Sequence, residues 1–400
     1  RCGGTVALAS GATQTGFGRT GTVDWQTAIK TSTFTAVSGE GYFVNTTGGV
    51  ITVNLPAGSA GAIVSIKDYA QTFETNACTI AANGSEKIEG LTDDLSLTTD
   101  GVAVTLVYGD ATKGWQSVNS NEVTNTVTFV AASGGTETEC GDFKIHTFTG
   151  PGNFTVTCAG SAAGSNSVDY LVVAGGGASG VPQGSGGGGA GGYRESPGAA
   201  SGCYSVSPIA GGSAVPVTVQ AYPIEVGGGG AAPGPSPTGA SGSNSVALGI
   251  TSAGGGGGGE GGGGTVGTNG GSGGGGGGRS GRAAGLGNTP AVSPAQGFPG
   301  GTASGPSSPT CSDTGGGGGG ATAAGTNGSP NGPGGTGGAG ATSSINGTPT
   351  ARAGGGGGGS QIGSGGPGGA GGGGNGNSGP GTSNTGGGAG GVATSPPAGF

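Results

Sequence analysis

The chain has 400 residues, of which 112 are glycine and 22 are proline, and only 8% are charged and 5% are aromatic. Globular domains carry about 25% charged residues and about 7% glycine, so this composition excludes an ordinary soluble enzyme. The net charge is −8 and the few lysines and arginines are scattered, which argues against a nucleic-acid partner.

The first 22 residues are small, polar and interrupted by glycine, and they are predicted to form a connector. Residues 23–121 contain short alternating apolar runs with a turn signal every 8–15 residues, as at Pro56–Gly58. This spacing is typical of an antiparallel β-sandwich or barrel of about 100 residues. Only Thr22–Lys30 has the pattern of a short helix. The expected fold class of this part is therefore all-β.

Residues 122–174 form a second predicted β module. Asp142–Phe148 and Asn153–Cys158 are two apolar runs separated by glycine and proline, which indicates a hairpin with a longer loop. Cys140 and Cys158 fall near opposite ends of that hairpin, so they are the candidate disulfide. Whether they pair depends on the distance and direction of their Cβ atoms.

Residues 175–400 form the predicted glycine-rich domain. Runs of six glycines recur at Gly254–Gly259, Gly273–Gly278, Gly315–Gly320 and Gly354–Gly359. A flexible linker is one interpretation, because glycine loses more backbone entropy on ordering than any other residue. The nearly constant run length, the scarcity of charge beyond residue 225 and turn signals such as Asn269 before Gly270 argue against it.

The other interpretation is an ordered bundle of polyglycine II helices. Polyglycine in the polyproline II conformation has three residues per turn and rises about 3.1 Å per residue. Such helices have no Cβ atoms, so their N–H groups can reach the carbonyls of neighbouring helices. Collagen is excluded because the sequence has no Gly-X-Y register. The apolar stretches Val215–Val226 and Val246–Ile250 are predicted to be β-strands that cap the bundle.

The residue types predict no catalytic, cofactor or metal site. His146 is the only histidine and the six cysteines form no C-x-x-C pair, which argues against zinc. The Gly-x-Gly-x-x-Gly matches follow from composition and lie in no βαβ unit, so dinucleotide binding is rejected. The acidic cluster Glu86–Asp100 is interpreted as a solvated loop. Its functional alternative is the acid and nucleophile of a glycosidase.

Eight motifs carry a resemblance to a known family. In the β region they are Thr22–Trp25, Phe34–Thr47, Val64–Ala70 and Gly114–Asn119. In the glycine-rich region they are Val168–Gly177, Gly186–Arg194, Tyr222–Gly227 and Ile345–Gly354. The first set resembles the repeat domains of tail-fibre proteins of marine bacteriophages, and the second set is similar to their glycine-rich C-terminal domain.

The resemblance implies a virion fibre protein that is trimeric in its β part and extracellular when mature. Its implied partners are other virion tail or fibre proteins, and a host cell-surface glycan or outer-membrane protein. The expected role is host attachment through loops of the glycine-rich domain, without enzymatic activity. Two alternatives stay open, a polysaccharide depolymerase fibre and a non-viral extracellular surface-filament protein.

Aromatic residues are scarce in the glycine-rich domain, and four of them stand out. They are Tyr193, Tyr204, Tyr222 and Phe298. Aromatic side chains on loops at a fibre tip suit sugar stacking or apolar host contacts, so these four are the candidate receptor contacts. The structural interpretation is that they cap the bundle against water.

Overall fold

The structure, a computed structural model, describes residues 23–119, 128–161, 164–182, 184–198, 204–232, 237–278, 281–304, 313–377 and 379–393. These residues contain β-strands and no α-helix, so the all-β prediction is confirmed. None of them forms a helix with the length and apolarity that crossing a bilayer requires. The chain divides into two compact units, residues 1–129 with 160–165 and residues 130–159 with 166–400. The predicted connector at residues 1–22 lies outside the described residues.

The described part of the first unit contains two sheets. Its strands are β1 (Asp24–Lys30), β2 (Phe34–Thr35), β3 (Glu40–Val44), β4 (Ile51–Asn54), β5 (Ile63–Asp68), β6 (Cys78–Ala81), β7 (Leu95–Leu97), β8 (Ala103–Asp110) and β9 (Gly114–Ser117). One sheet has the order β1-β3-β5-β8-β9 and the other has the order β2-β4-β6-β7. The first six strands therefore alternate between the two sheets, and the stretch considered for a helix is strand β1.

The pairing of these strands differs from the predicted antiparallel arrangement. β1 pairs with β3, β3 with β5, β2 with β4 and β4 with β6, all in parallel. Antiparallel pairs come later, between β5 and β8, β8 and β9, and β6 and β7. The early turns carry the chain across to the opposite sheet instead of back alongside the same strand. Alternating side chains fit both directions, so the sequence pattern does not distinguish them.

The two sheets of the first unit enclose one apolar core. Its members that are at most 1% exposed include Val44, Val53, Val64, Ile66, Ile80, Leu106 and Trp115. Asp68, at the end of β5, is buried beside them. Its carboxylate accepts hydrogen bonds from the N–H groups of Ala70, Gln71, Thr72, Phe73 and Gly101. These donors satisfy the buried carboxylate and join the loop after β5 to the turn before β8.

The second unit contains short strands and long glycine segments. The strands are β10 (Val130–Ser133), β11 (Thr136–Cys140), β12 (Phe143–Thr147), β13 (Gly152–Ala159), β14 (Ser167–Val168), β15 (Leu171–Val173), β16 (Tyr193–Glu195), β17 (Val215–Pro216), β18 (Ala221–Ile224), β19 (Ser245–Ala247), β20 (Ile250–Ser252), β21 (Ala341–Ser343) and β22 (Thr350–Arg352). β10, β13 and β18 form a three-stranded sheet, and the other strands pair as two-stranded ribbons.

The predicted hairpin between Asp142–Phe148 and Asn153–Cys158 does not form. β12 pairs with β11 instead, and β13 lies between β10 and β18. Gly141 has a φ of +58°, which suits the tight turn that pairs β11 with β12 locally. Because β18 comes from the glycine-rich region, the predicted boundary at residue 174 does not separate compact units.

The glycine runs are buried and hydrogen-bonded to other segments. Every residue of Gly315–Gly320 is buried, and each of its N–H groups donates to a carbonyl elsewhere in the unit. The acceptors repeat every three residues: Gly315 and Gly318 donate to Gly359 and Gly356, Gly316 and Gly319 to Gly276 and Gly273, and Gly317 and Gly320 to Thr326 and Ala323. Every third N–H group of the run thus points to the same neighbouring segment.

The same period of three holds in Gly273–Gly278 and Gly354–Gly359. We call the hydrogen-bonded glycine segments of the second unit the glycine array. Residues 185–192 lie at its centre. The N–H groups of residues 186–192 donate to segments 253–259, 316–319 and 386–389. The segment's carbonyls accept from segments 177–180, 272–275 and 356–359. This central segment therefore has six neighbours, three that accept from it and three that donate to it.

The glycine content of a segment rises with the number of its sides that are buried. In the surface segment 264–270, Gly264, Gly267 and Gly270 are buried, whereas Val266 and Asn269 are exposed. The surface segment 364–370 keeps two buried or half-buried glycines in every three and exposes Ser364, Pro367 and Ala370. Short Gly-x-x and Gly-Gly-x pieces therefore exist, although no such register runs along the whole chain.

Close approach, and not backbone angle, requires glycine in the interior of the array. A Cβ atom at Gly318 would lie 2.0 Å from the carbonyl oxygen of Gly188, and one at Gly188 would lie 2.0 Å from that of Gly177. No residue of Gly315–Gly320 has a positive φ. An L-residue can therefore adopt this backbone conformation, but its first side-chain atom has no space.

We expect Gly318→Ala to lower the free energy of unfolding of the second unit by about 3 kcal/mol, because the added methyl overlaps backbone atoms that are themselves packed. Gly150→Ala is the control, since a Cβ atom there meets nothing within 4 Å. Chemical denaturation followed by circular dichroism measures both variants. An unchanged midpoint for Gly318→Ala would contradict the close packing of the array.

Candidate functional site: the two ends of the glycine array

Short strands gather at one end of the glycine array, which we call the cap end. The hydroxyls of Ser245 and Ser252 donate to carbonyls of β15 and so join the β19–β20 ribbon to the β15–β16 ribbon. The Ser343 hydroxyl of β21 donates to the Glu195 carboxylate of β16. Three ribbons therefore close the glycine segments that begin or end beside them.

Glu195 holds the cap end together through its carboxylate. The residue is buried, with 2% of its surface exposed. Oε1 accepts hydrogen bonds from the Tyr204 hydroxyl at 2.9 Å and the Ser343 hydroxyl at 2.5 Å. Oε2 accepts from the Tyr193 hydroxyl at 2.8 Å and the Ser207 N–H at 3.2 Å. Because four donors use the carboxylate, the arrangement suits cross-linking of the chain better than proton transfer.

The sequence pattern does not single out Glu195. The available signal was an acidic residue at the end of a glycine run, in a region with very few charges. Such a residue is expensive to bury without partners, so its partners had to come from elsewhere in the chain. Tyr193, Tyr204 and Ser207 are near Glu195 in sequence, but Ser343 is 148 residues away and the pattern around Glu195 does not predict it.

The electrostatics of the cap end keep the phenols of Tyr193 and Tyr204 protonated. Burial raises the pKa of both phenols, and the hydrogen bonds and negative charge of Glu195 raise them further. Losing either proton would place a second negative charge beside Glu195 in a poorly solvated site. Arg352 lies close enough to interact with Tyr193 and Glu195, and burial lowers its pKa.

The four predicted receptor contacts occupy different environments. Tyr193 is 2% exposed and is therefore out of reach of a receptor in the folded chain. Tyr204 and Tyr222 are half-buried, and the hydroxyl of each is hydrogen-bonded within the chain. Phe298 is 37% exposed. Only Tyr193 and Tyr204 are brought together, on Glu195, so these two cap the array and Phe298 stays a predicted contact.

The opposite end of the glycine array consists of turns, and we call it the turn end. Its described turns are residues 260–264, 329–332 and 360–363. They are bonded to the array and to one another: the Ser360 hydroxyl donates to the carbonyl of Gly332, and the Thr314 hydroxyl to that of Ser329. The run Gly315–Gly320 begins at this end and finishes at the cap end, so the two ends are separated by the length of the runs.

The turn end exposes side chains that do not pack the array. Ile362 is 71% exposed, and the neighbouring Gln361 and the more distant Pro330 are exposed as well. The interior of the array is held by backbone groups, so side chains in these turns can differ without changing the buried part. Loops on a rigid scaffold are the usual place for recognition residues.

The predicted disulfide between Cys140 and Cys158 does not form. Cys158 is a free thiol, whereas Cys140 is disulfide-bonded to another cysteine. The topology gives the reason, because Cys158 pairs with Ala131 of β10 while Cys140 pairs with Phe143 in the separate β11–β12 ribbon. In the first unit Cys78 is also a free thiol, and burial raises its pKa to about 12.

The acidic cluster of the first unit bonds donors of its own unit. Glu86 accepts from the Gly58 N–H and the Trp115 indole N–H, and Glu89 accepts from the Ser117 N–H. Each carboxylate is therefore used to hold a turn or strand in place. Across the part of the chain that the structure describes, no group of three or more His, Cys, Asp or Glu side chains is placed to hold a metal ion.

Comparison with known proteins assigns the glycine-rich part of the chain to a family. Residues 147–399 match a family described as a glycine-rich domain. The matched range begins at the end of β12 and includes both ends of the glycine array. No curated protein matches the chain.

We expect the second unit to lose stability as the pH rises above about 10, the pKa of a phenol in an unfolded chain. The folded chain keeps the protons of Tyr193 and Tyr204 there, because their pKa values are raised. The folded state then binds more protons than the unfolded state, so the free energy of unfolding falls with rising pH until the folded phenols titrate.

Tyr193→Phe should reduce this loss of stability at alkaline pH, because the variant has one fewer phenol that stays protonated in the folded chain. Thermal unfolding across alkaline pH measures the slope. Tyr222→Phe is the control, since the pKa of Tyr222 is lowered by its hydrogen bonds with Thr218. Equal slopes of stability against pH in the wild type and Tyr193→Phe would contradict a raised pKa of Tyr193.

Proposed function

The chain belongs to the glycine-rich domain family, and we propose that its glycine array is a bundle of polyglycine II helices that carries the host-attachment surface of a phage tail fibre. The bundle is the platform and the turn end is the recognition surface. The first unit belongs to the β repeat part of the fibre. The chain has no enzymatic role in this proposal.

The period of three supports polyglycine II helices. Each N–H group in Gly315–Gly320 points to a different neighbour from the one before it and returns to the first neighbour after three residues. A helix with three residues per turn produces this pattern. The six neighbours of residues 185–192 are those expected for helices packed hexagonally. The absence of positive φ in Gly315–Gly320 agrees with the φ of about −75° of this helix.

The adhesive role rests on one observation, the difference between the two ends of the array. The cap end is tied together by ribbons and by the buried Glu195, so the side chains of Tyr193, Tyr204 and Ser343 are used internally. The turn end instead exposes side chains such as Ile362 on turns whose ends are held by the array. A recognition surface needs residues that are exposed and yet well positioned, and the turn end offers both.

The resemblance of the motifs to tail fibres of marine bacteriophages supports the location and the partners. We place the protein in the virion tail, extracellular when mature, as a homotrimer through its β part. Other tail or fibre proteins are its structural partners. Its ligand is a host cell-surface glycan or an outer-membrane protein, and the low content of basic residues suits neither DNA nor RNA.

Backbone amide exchange tests the helix bundle. The amides of residues 185–192 are all in the interior, so their exchange should be slower than in an unfolded chain by at least about a thousandfold, as expected for globally protected amides. Gly48, which is exposed in the first unit, is the fast-exchanging reference. Exchange of residues 185–192 at the rate of an unfolded chain would contradict the bundle.

Binding of the fluorescently labelled protein to a panel of marine bacterial isolates tests the adhesive role. On an isolate that binds the wild type, Ile362→Asp should reduce binding by about tenfold or more, because it replaces an exposed apolar contact with a charge. Thr348→Asp is the control, since Thr348 is exposed at the cap end. Loss of binding in Thr348→Asp or Phe298→Ala, with Ile362→Asp unaffected, would move the recognition surface to the cap end.

A further inference from the structure

Among the residues that the structure describes, one neighbour is missing from the glycine array beside residues 174–180. We propose that a second copy of this chain supplies it, with its own segment Gly227–Gly230, and that the two copies exchange these segments. The inference rests on the proposed helix bundle and is independent of the adhesive role. The contacts that the missing neighbour makes are seen at an occupied position of the array.

An occupied position shows which contacts a neighbour makes. The carbonyl of Gly188 accepts the N–H of Gly356 at 2.9 Å. The same carbonyl oxygen lies 2.0 Å from the ideal Cβ positions of Gly318 and Gly388, on the two flanking segments. The N–H groups of these flanking glycines donate to Gly356 and Gly354. One segment therefore donates to the central carbonyl and accepts from both flanking glycines.

The carbonyl of Gly387 is also flanked by two glycines, but the described residues place no such segment beside it. Its oxygen lies 2.1 Å from the ideal Cβ position of Gly176 and 2.4 Å from that of Gly381. Within the described residues, no N–H donates to this carbonyl, and the N–H groups of Gly176 and Gly381 have no acceptor. Two donors and one acceptor thus converge on a position where the described chain places no segment.

The segment Gly227–Gly230 has the properties of the missing neighbour. The Gly230 N–H donates to the Gly176 carbonyl, so this segment lies along the same residues 174–180 as the vacant position. Gly228 and Gly229 are exposed, and their N–H groups have no acceptor among the described residues. A Cβ atom at Gly228 would meet nothing within 4 Å, so the fold of a single copy does not require glycine there.

The contrast with other exposed segments strengthens this assignment. Segment 264–270 places Val266 and Asn269 at its outward positions, and segment 364–370 places Ser364 and Pro367 there. Gly227–Gly230 instead keeps glycine on its exposed side, where the N–H groups of Gly228 and Gly229 have no acceptor among the described residues. A helix that packs into a second array needs both features, because an occupied position has no space for Cβ atoms.

The vacant position and the segment Gly227–Gly230 lie on the same molecule, and both border residues 174–180. The contact between two copies can therefore be self-complementary. A second copy turned by half a turn places its Gly227–Gly230 in the vacant position of the first copy and receives the first copy's segment in return. Such an isologous contact closes after two copies, so with a trimeric β part it joins a copy of one trimer to a copy of another. The bonds that form are backbone hydrogen bonds of the kind that hold the array together.

Sedimentation over a concentration series and residue-resolved amide exchange of the full chain test the proposal together. The wild type should associate with rising concentration, and exchange at Gly176 and Gly381 should slow by about tenfold or more as the associated form fills. Gly228→Ala should keep the fold of the dilute chain and weaken the association by about tenfold or more, because its methyl enters the vacant position. Gly48→Ala is the control, since a Cβ atom there also meets nothing within 4 Å.

A synthetic peptide with the sequence of residues 225–232 should compete with the association, and the same peptide with alanine at position 228 should not. A sedimentation coefficient that does not rise with concentration, or an associated form in which Gly176 and Gly381 still exchange fast, overturns the proposal. Association unaffected by Gly228→Ala overturns it as well. Slow exchange at these two amides in the dilute protein also does so, since the vacant position is then filled without the association.

The same experiment separates this inference from the helix bundle on which it rests. Fast exchange throughout residues 185–192 would reject the bundle, and with it the vacancy. Slow exchange there, combined with any of the contrary outcomes above, would leave the bundle in place and reject only the pairing of two copies.

Discussion

The second unit depends on one interaction, the hydrogen bond between the backbone N–H of one glycine segment and the carbonyl of another. A buried N–H or carbonyl without a partner is costly, and these segments have few side chains to bury in compensation. Each glycine also loses much conformational entropy on ordering. The unit is therefore stable only if nearly every backbone group in its interior is bonded, which requires segments to approach until no Cβ atom fits, as at Gly318.

This requirement explains how the rest of the unit is built. Where a segment has neighbours on all sides, as at residues 185–192, it is almost entirely glycine, and where it has solvent on one side, side chains return every third residue. At the cap end, a different solution satisfies the backbone, through β ribbons and the carboxylate of Glu195. The first unit uses the ordinary solution, an apolar core around Trp115 between two sheets.

A scaffold held by backbone groups separates stability from recognition. The turns at the turn end contribute little to the interior, so residues such as Ile362 can be replaced without loss of the array. The same principle makes the outer surface of the array informative. A surface segment that keeps glycine and leaves donors without an acceptor in the described chain, as at Gly228 and Gly229, has a surface suited to another backbone and not to water alone.

The sequence by itself determined that the chain is all-β, that its second half lacks the side chains for an apolar core, and where its glycine runs lie. It did not determine the parallel pairing of β1 to β6, the partners of Glu195, the free thiol at Cys158 or the vacant position beside Gly176. Any glycine run offers the same donors and acceptors as any other, and alternating strands fit either direction. Neighbours are therefore chosen by turns and caps that are distant in sequence, and only the tertiary structure brings these together.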